Sequence, residues 1–176
     1  MKKQLLIIPS VLFFLLIGVF LYLLLIERNP SELPSALINK KAPEFKTTSL
    51  FDENLFVSNK DFGNEITLVN FFATWCFPCR KEHPFIEKLS NESGIKLIGI
   101  NYKDKNTKTK KWLKELGNPY AKVGIDKDGN IGIDWGLYGI PETYVVDKNG
   151  IIKYKYVGPI TKKTYKKFYS LIKEIK

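Results

Sequence analysis

Two cysteines stand two residues apart in Trp75-Cys76-Phe77-Pro78-Cys79, and the chain has no others. The apolar run Leu68-Val69-Asn70-Phe71-Phe72 lies just ahead of them. A strand that ends in a turn and then opens a helix with Cys76 at its start sets that sulfur over unpaired backbone N–H groups. Those groups and the helix dipole favour a thiolate over a thiol. Cys79, one turn further in, is near enough to close a disulfide with it. The chemistry open to such a pair is thiol–disulfide exchange.

Other uses of two cysteines fit less well. A structural bridge between residues this close in sequence constrains the unfolded chain very little. A closed zinc site takes four Cys or His ligands, and the chain offers two Cys and one His. A c-type haem attachment needs His directly after the second cysteine, where Arg80 stands. The dithiol is therefore expected to be redox-active, with no metal and no other cofactor. The one histidine, His83, lies seven residues after Cys76 and close to the same helix face. With no second strong ligand or base beside it, it is expected to be a packed or half-exposed helix residue.

A net charge of +10, from 28 Lys+Arg against 18 Asp+Glu, raises the question of nucleic acid. The lysines are spread over Lys103 to Lys114 and Lys153 to Lys176, mixed with apolar positions at helical spacing, and no nucleic-acid motif accompanies them. A solvated basic face suited to anionic headgroups is the better account, and nucleic acid is not an expected partner. Asp126-Lys127-Asp128-Gly129 resembles a fragment of a calcium loop. It lacks the twelfth-position acid and the flanking helices, so it is a turn.

Ahead of the dithiol, Met1-Lys2-Lys3 precedes a nearly unbroken apolar run from Leu5 to Ile26 that carries no charge. At about 1.5 Å per residue it spans roughly 30 Å, the thickness of a bilayer core. A cleaved signal peptide has a shorter core and an A-x-A-like site, whereas this run ends in Glu27-Arg28-Asn29-Pro30. Residues 1–27 are expected to form a transmembrane anchor with its lysine-bearing end in the cytoplasm. Residues 28–41 read as a proline-bearing linker and 42–176 as the globular domain across the membrane. A domain there that spends no cysteine on structural bridges, yet keeps one reactive pair, depends on a partner to hold its working redox state.

The elements that must position the pair follow from pattern. Short strands around Phe45–Thr48 and Leu55–Val57 suggest a hairpin. Ile66–Phe72 has the continuous apolar character of a strand buried on both faces. A helix from Phe77 to about Asn91 accepts Pro78 in its first turn, carries Phe85, Ile86 and Leu89 inward, and meets a kink at Pro84. Lys96–Asn101 is a second buried strand. Asn106–Leu116 is a helix with Trp112, Leu113 and Leu116 inward, stopped by Gly117-Asn118-Pro119. A short strand near Ala121–Ile125 and a short helix over Asn130–Trp135 come next. Glu142–Asp147 and Ile151–Val157 flank Asn149-Gly150, a strong hairpin signal. Thr161–Lys176 closes the chain as an amphipathic helix with Tyr165, Phe168, Leu171 and Ile172 inward. Parallel strands with crossover helices, joined to an antiparallel hairpin and a helix, predict a small α/β sandwich; it is the layout that a thioredoxin-like fold would show, with the cysteines at the first strand-to-helix turn.

LVNFFATWCFPC, Leu68 to Cys79, resembles the active-site segment of thioredoxin-like proteins. WCFPCRKEHP, GINYKD, WLKELGNPYA and GLYGIPETYVVDKNGIIKY make residues 41–176 similar to one branch, the membrane-anchored CcmG/DsbE thiol:disulfide interchange proteins of cytochrome c maturation. The resemblance implies that Cys76 is the exposed attacking cysteine and Cys79 the resolving one. It implies that Pro141 is the cis-proline opposite the dithiol and that Ile140 presents backbone groups to a substrate strand. Trp75, Phe77 and Pro78 would complete the substrate platform. Glu82 and Glu142 match acidic residues near the active site.

Asn70 stands where thioredoxin has a buried Asp that helps deprotonate the second cysteine. Asn cannot titrate, so the base for Cys79 is expected to be Glu142 or Glu82. The implied function is reduction of the Cys-X-X-Cys-His disulfide of apocytochrome c. The protein would be a single-pass protein of the inner membrane with its catalytic domain in the periplasm. Re-reduction by a membrane donor of the DsbD/CcdA type, and contact with the haem-ligation machinery, are implied as well. Two other roles suit the same residues: an apocytochrome-binding holdase, and a general periplasmic thiol oxidant.

Overall fold

Every residue of the strand that leads to the cysteines, β3 (Ile66–Phe72), is buried. In the computed structural model, which describes residues 2–25, 35–63, 65–92 and 94–175, it is the middle of a five-stranded sheet. β4 (Ile95–Tyr102) runs parallel to it on one side and β6 (Glu142–Val146) antiparallel on the other. β5 (Lys122–Asp126) extends the parallel side, and β7 (Ile152–Val157) pairs antiparallel with β6.

The sheet has helices where handedness requires them. The chain steps outward from β3 to β4 to β5 through α2 (Phe77–Ser90) and α3 (Asn106–Leu116). Two right-handed crossovers stepping in one direction fall on the same face. Ile86, Leu89, Trp112 and Leu113 accordingly share one core with Leu68, Phe72 and Leu97. Tyr165, Phe168 and Ile172 of α5 (Lys162–Ile175) complete it. The chain then returns by α4 (Asn130–Asp134) to β6. Trp135, Phe45 and Val57 cover the second face with Val69, Phe71, Ile98 and Tyr144. Phe45 lies just ahead of, and Val57 within, the antiparallel hairpin of β1 (Lys46–Thr48) and β2 (Phe56–Ser58).

Alternation along β3 decides what the dithiol can meet. Residues two apart share a face, so Leu68 and Phe72 point to the helix side with Asn70 between them, while Val69 and Phe71 point away. Gly99 on β4 leaves room on the helix side. A Cβ there would sit 2.8 Å from the Phe72 ring and 3.0 Å from that of Tyr120. Its absence lets Tyr120 stack on Phe72, with ring centroids 4.8 Å apart, and send its hydroxyl to Asn70.

At the amino end, α1 (Lys2–Leu25) carries apolar, exposed side chains over Ile8–Leu25, with Ser10 and Gly18 the exceptions in type, and is long enough to cross a bilayer. Residues 26–34, which include the end of the expected anchor and half of the expected linker, lie outside the described residues. The rest of that linker is not free. Asn39 N–H donates to the Ile152 carbonyl at 2.7 Å, Ile152 N–H donates to that of Lys40 at 2.9 Å, and Leu37 and Ile38 pack on the second core. Two adjacent apolar residues are too short a pattern to reveal periodicity, so this docking was invisible in sequence.

Candidate active site

β3 ends at Phe72, and a turn closed by Cys76 N–H on the Ala73 carbonyl (3.3 Å) brings Cys76 to the N-cap of α2. Cys79 N–H donates to Cys76 Sγ at 3.1 Å, the place a capping side chain takes at a helix start. The two sulfurs are bonded at 2.02 Å. A disulfide across the first turn of a helix is the oxidised form of a redox pair.

The wall opposite is the loop before β6. The Ile140–Pro141 peptide is cis, and the Ile140 carbonyl oxygen lies 3.6 Å from Cys76 Sγ. Pro141 is buried and Ile140 half-buried. Cys76 is therefore less open than its expected role suggests: it keeps 4 % of its surface against 1 % for Cys79. The accessible apolar surface belongs to its neighbours. Trp75 and Phe77 are 59 % and 66 % exposed, and Pro78 is exposed as well. Tyr138, on the loop that carries Ile140, is 60 % exposed. Tyr138 was not singled out by sequence; an aromatic between glycines ahead of Pro141 was the available signal.

Glu82 is on the buried side of α2, not its solvated side. It is 1 % exposed, one turn after Cys79, and its two oxygens accept from Asn70 Nδ2 and from the Ile160 N–H, each at 3.0 Å. Asn70 is itself fully engaged. Its Nδ2 also donates to Thr143 Oγ1 at 3.0 Å, and its Oδ1 accepts the Tyr120 hydroxyl at 2.7 Å. Burial pushes the Glu82 carboxyl up to about 8, against the two hydrogen bonds, which act to lower it. The position that holds a titrating acid in thioredoxin is thus filled by an amide that fastens a titrating acid from the helix.

Glu142 is different. It registers with Phe71 across the β3–β6 ladder, and Phe71 belongs to the second core. The carboxylate is therefore on the sheet face away from α2 and Cys79, which corrects the expectation that it takes the Cys79 proton. Period-two alternation sends Thr143 toward Asn70 and its neighbour Glu142 away from it. Glu142 is wholly buried, as no edge-strand charge would be, and its Oε2 lies 3.1 Å from Lys155 Nζ, with both side chains inside the fold. Tyr144 donates its hydroxyl to Oε2 at 3.0 Å, and Tyr138 N–H donates to Oε1 at 3.0 Å. Lys155 also donates to the Gly136 carbonyl at 2.7 Å and sits 3.6 Å over the Tyr138 ring. The pair fastens the loop from Gly136 to Tyr138 and, through it, the Ile140 wall.

An expected result follows for that pair. Lys155→Met leaves a buried carboxylate without its cation and destabilises the domain by roughly 3–5 kcal/mol. Adding Glu142→Gln removes the stranded charge and restores most of the loss. Urea unfolding of the single and double variants measures both.

Of the two settings open to His83, the structure shows the packed one. Its Nε2 lies 3.0 Å from the Gly117 carbonyl, which makes it the donor, and its ring meets Trp112 edge-on at 4.4 Å. Burial lowers its pKa despite the Gly117 hydrogen bond, so it seats the end of α3 on α2 as a neutral ring.

Comparison with known proteins bears on the same residues. A family model described as Redoxin matches residues 37–172. The chain is 45 % identical over 166 residues to the thiol:disulfide interchange protein DsbE of Pseudomonas aeruginosa, spanning 94 % of this chain and 91 % of the relative. It is 41 % identical over 171 residues to the protein of the same name from Escherichia coli K12, again spanning 94 % and 91 %. Among solved structures, a DsbF homologue from Corynebacterium diphtheriae superposes with a TM-score of 0.69 at 19 % identity, covering 84 % of this chain and 96 % of that one. A thioredoxin-family thiol:disulfide interchange protein from Chlorobium tepidum TLS gives 0.64 at 24 % identity, covering 81 % and 98 %. At such identities these two structures speak to fold alone.

Proposed function

Because this chain belongs to the Redoxin family and, within it, to the DsbE thiol:disulfide interchange proteins, we propose that its thiol–disulfide oxidoreductase chemistry runs as reduction of the Cys-X-X-Cys-His disulfide of apocytochrome c. α1 holds the chain in the inner membrane as a single-pass anchor, and the dithiol works in the periplasm. A membrane conduit of the DsbD/CcdA type returns the pair to its reduced form.

In the reduced protein, the Cys76 thiolate at the α2 N-terminus attacks one sulfur of the substrate disulfide. That bond breaks, the second substrate sulfur leaves as a thiolate and takes a proton, and Cys76 is joined to substrate in a mixed disulfide. Cys79 then gives its proton to Glu82 and attacks Cys76 Sγ. The mixed disulfide breaks, the first substrate thiolate leaves, and the Cys76–Cys79 bond forms. Two electrons have passed from the protein to the substrate.

The observation that carries the mechanism is the buried Glu82 on the turn after Cys79. Its carboxyl, at about 8, is close to the ordinary thiol value of about 8.5, and matched partners exchange a proton at little cost. Trp75, Phe77 and Tyr138 supply an apolar platform, and the Ile140 backbone supplies an edge for an extended substrate segment.

The test is capture of partners by a Cys79→Ala chain in cells that make c-type cytochromes. The expected yield is mixed disulfides with apocytochromes. A broad mixture of exported proteins overturns the substrate assignment. The reduction potential of the pair reads the direction separately: a value near that of thioredoxin, about −270 mV, fits a reductant, and one near about −120 mV marks an oxidant. A Cys76→Ala chain that still supports maturation without added thiol would make the holdase role the right one.

A further inference from the structure

The turn ahead of Cys76 is held from a second strand as well as by its own closing hydrogen bond. β4 ends at Tyr102, and Lys103 takes a left-handed conformation, φ 47°, rare for a residue with a side chain. Next to it, Asp104 meets the end of β3. Its Oδ2 accepts the Thr74 N–H at 2.6 Å, and its Oδ1 accepts the Thr74 hydroxyl at 3.1 Å and the Lys105 N–H at 2.7 Å. Asn101 Nδ2 and the Thr109 hydroxyl reach Oδ2 at 3.4 and 3.3 Å. The adjoining Lys103 carbonyl accepts the Trp75 Nε1–H at 3.1 Å. Thr74 and Trp75, the two residues before the attacking cysteine, are thus both fastened to one short loop on a different strand.

We propose that Asp104 is a positioning residue for substrate reduction, holding the Thr74–Trp75 turn so that Trp75 stands as a fixed plate beside the dithiol. The assignment rests on the platform described under Proposed function. Trp75 keeps most of its surface in solvent while its indole N–H is anchored. A large side chain ordered in advance loses less freedom when a substrate covers it. Bonds to an ionised acceptor are shorter and stronger than neutral ones, and Asp104 is held ionised. Burial acts to raise its carboxyl, but the hydrogen bonds from Thr74, Lys105 and Asn101 together outweigh it and keep it below the usual range. Nothing places Asp104 on substrate or on the sulfurs; it acts through Trp75.

The experiment uses the full chain in detergent micelles and a disulfide-closed peptide containing Cys-X-X-Cys-His. Asp104→Ala is expected to raise KM for the peptide about tenfold with kcat within twofold. Alkylation of reduced Cys76 by iodoacetamide, which needs no platform, stays within twofold, and the Trp75 indole N–H resonance moves. Asp104→Asn, which keeps an oxygen for the Thr74 N–H, recovers most of the KM. In a Trp75→Phe background the same Asp104→Ala change adds less than twofold, as residues acting through one another must. An unchanged KM, an equal loss in alkylation, or a full penalty in the Trp75→Phe background overturns the proposal. If Asp104→Ala does not fold, Thr74→Val, which removes one bond of the set, must show the KM rise, about threefold, or the proposal fails. If the wild-type chain does not reduce the peptide, the substrate reading fails by itself. The KM comparison is then made with insulin and decides the role of Asp104.

Discussion

Cys76→Ser abolishes disulfide reduction, to at least about 10³-fold below wild type, and Cys79→Ala stops turnover after one covalent event. The two variants separate because the sulfurs have different tasks. Cys76 keeps more of its surface than Cys79 and takes the N-cap of α2, so it is the sulfur that meets a substrate. Without Cys79 the first attack proceeds and the product has no route out. A rapid-mixing assay should show a burst of one substrate thiol per Cys79→Ala molecule and none for Cys76→Ser. The bond closes so short a loop that its loss costs at most about 2 kcal/mol of chain entropy. Both variants therefore fold, and the contrast reports chemistry. A burst from Cys76→Ser would place the attacking sulfur at Cys79 and reverse the assignment.

The second large effect is at Glu82. Glu82→Gln slows resolution of the mixed disulfide by about 10²–10³-fold. The wild-type resolution rate climbs with pH until about 8 as the carboxyl ionises, and the variant loses that limb. Stability moves the other way. The folded pKa lies above the ordinary value of 4.5, so the native state holds a proton that the unfolded chain has released. Wild-type stability therefore falls as pH rises from about 4.5 to about 8 and levels off above it. At 1.36 kcal/mol per unit the cost is on the order of 5 kcal/mol, and the glutamine variant does not bear it. The introduced glutamine keeps its carbonyl for the Ile160 N–H and offers its amide to Asn70, which accepts it by turning its own amide over, the Thr143 hydroxyl then donating and the Tyr120 hydroxyl accepting. Urea unfolding at about pH 5 and about pH 9 should show the variant near wild type at the lower pH and clearly more stable at the higher. A wild-type curve that is flat between them would mean that Glu82 is ionised in the fold and is not a base tuned to a thiol.

Glu142 and Glu82 carry the same side chain and were matched to the same role, yet the fold gives them opposite surroundings. Glu82 has amide donors and, among the described residues, no cation beside it, so burial raises it. Glu142 has Lys155 at 3.1 Å on the far face of the sheet, where it secures the loop behind Ile140. In the same way, Asp104 sits in a stretch whose local pattern says only that α3 is about to begin. Its hold on Thr74 exists because β3 and β4 end side by side.

The sequence by itself determined the elements and the reactive pair, because both are written at short range. An apolar run of strand length, a proline suited to a first helical turn, Asn-Gly between two strands and Cys-X-X-Cys at a helix start each act within a few residues. Asn106–Leu116 and the strand at Ile66–Phe72 fall where their patterns put them. The tertiary structure alone decided which of the two acids lies on the Cys79 side of the sheet. That choice depends on Asn70, on the Ile160 N–H 78 residues from Glu82, and on the alternation that turns Glu142 to the other face. Whether a buried carboxylate stands opposite a cation or among amides is set by groups that the chain brings to it only when the sheet closes.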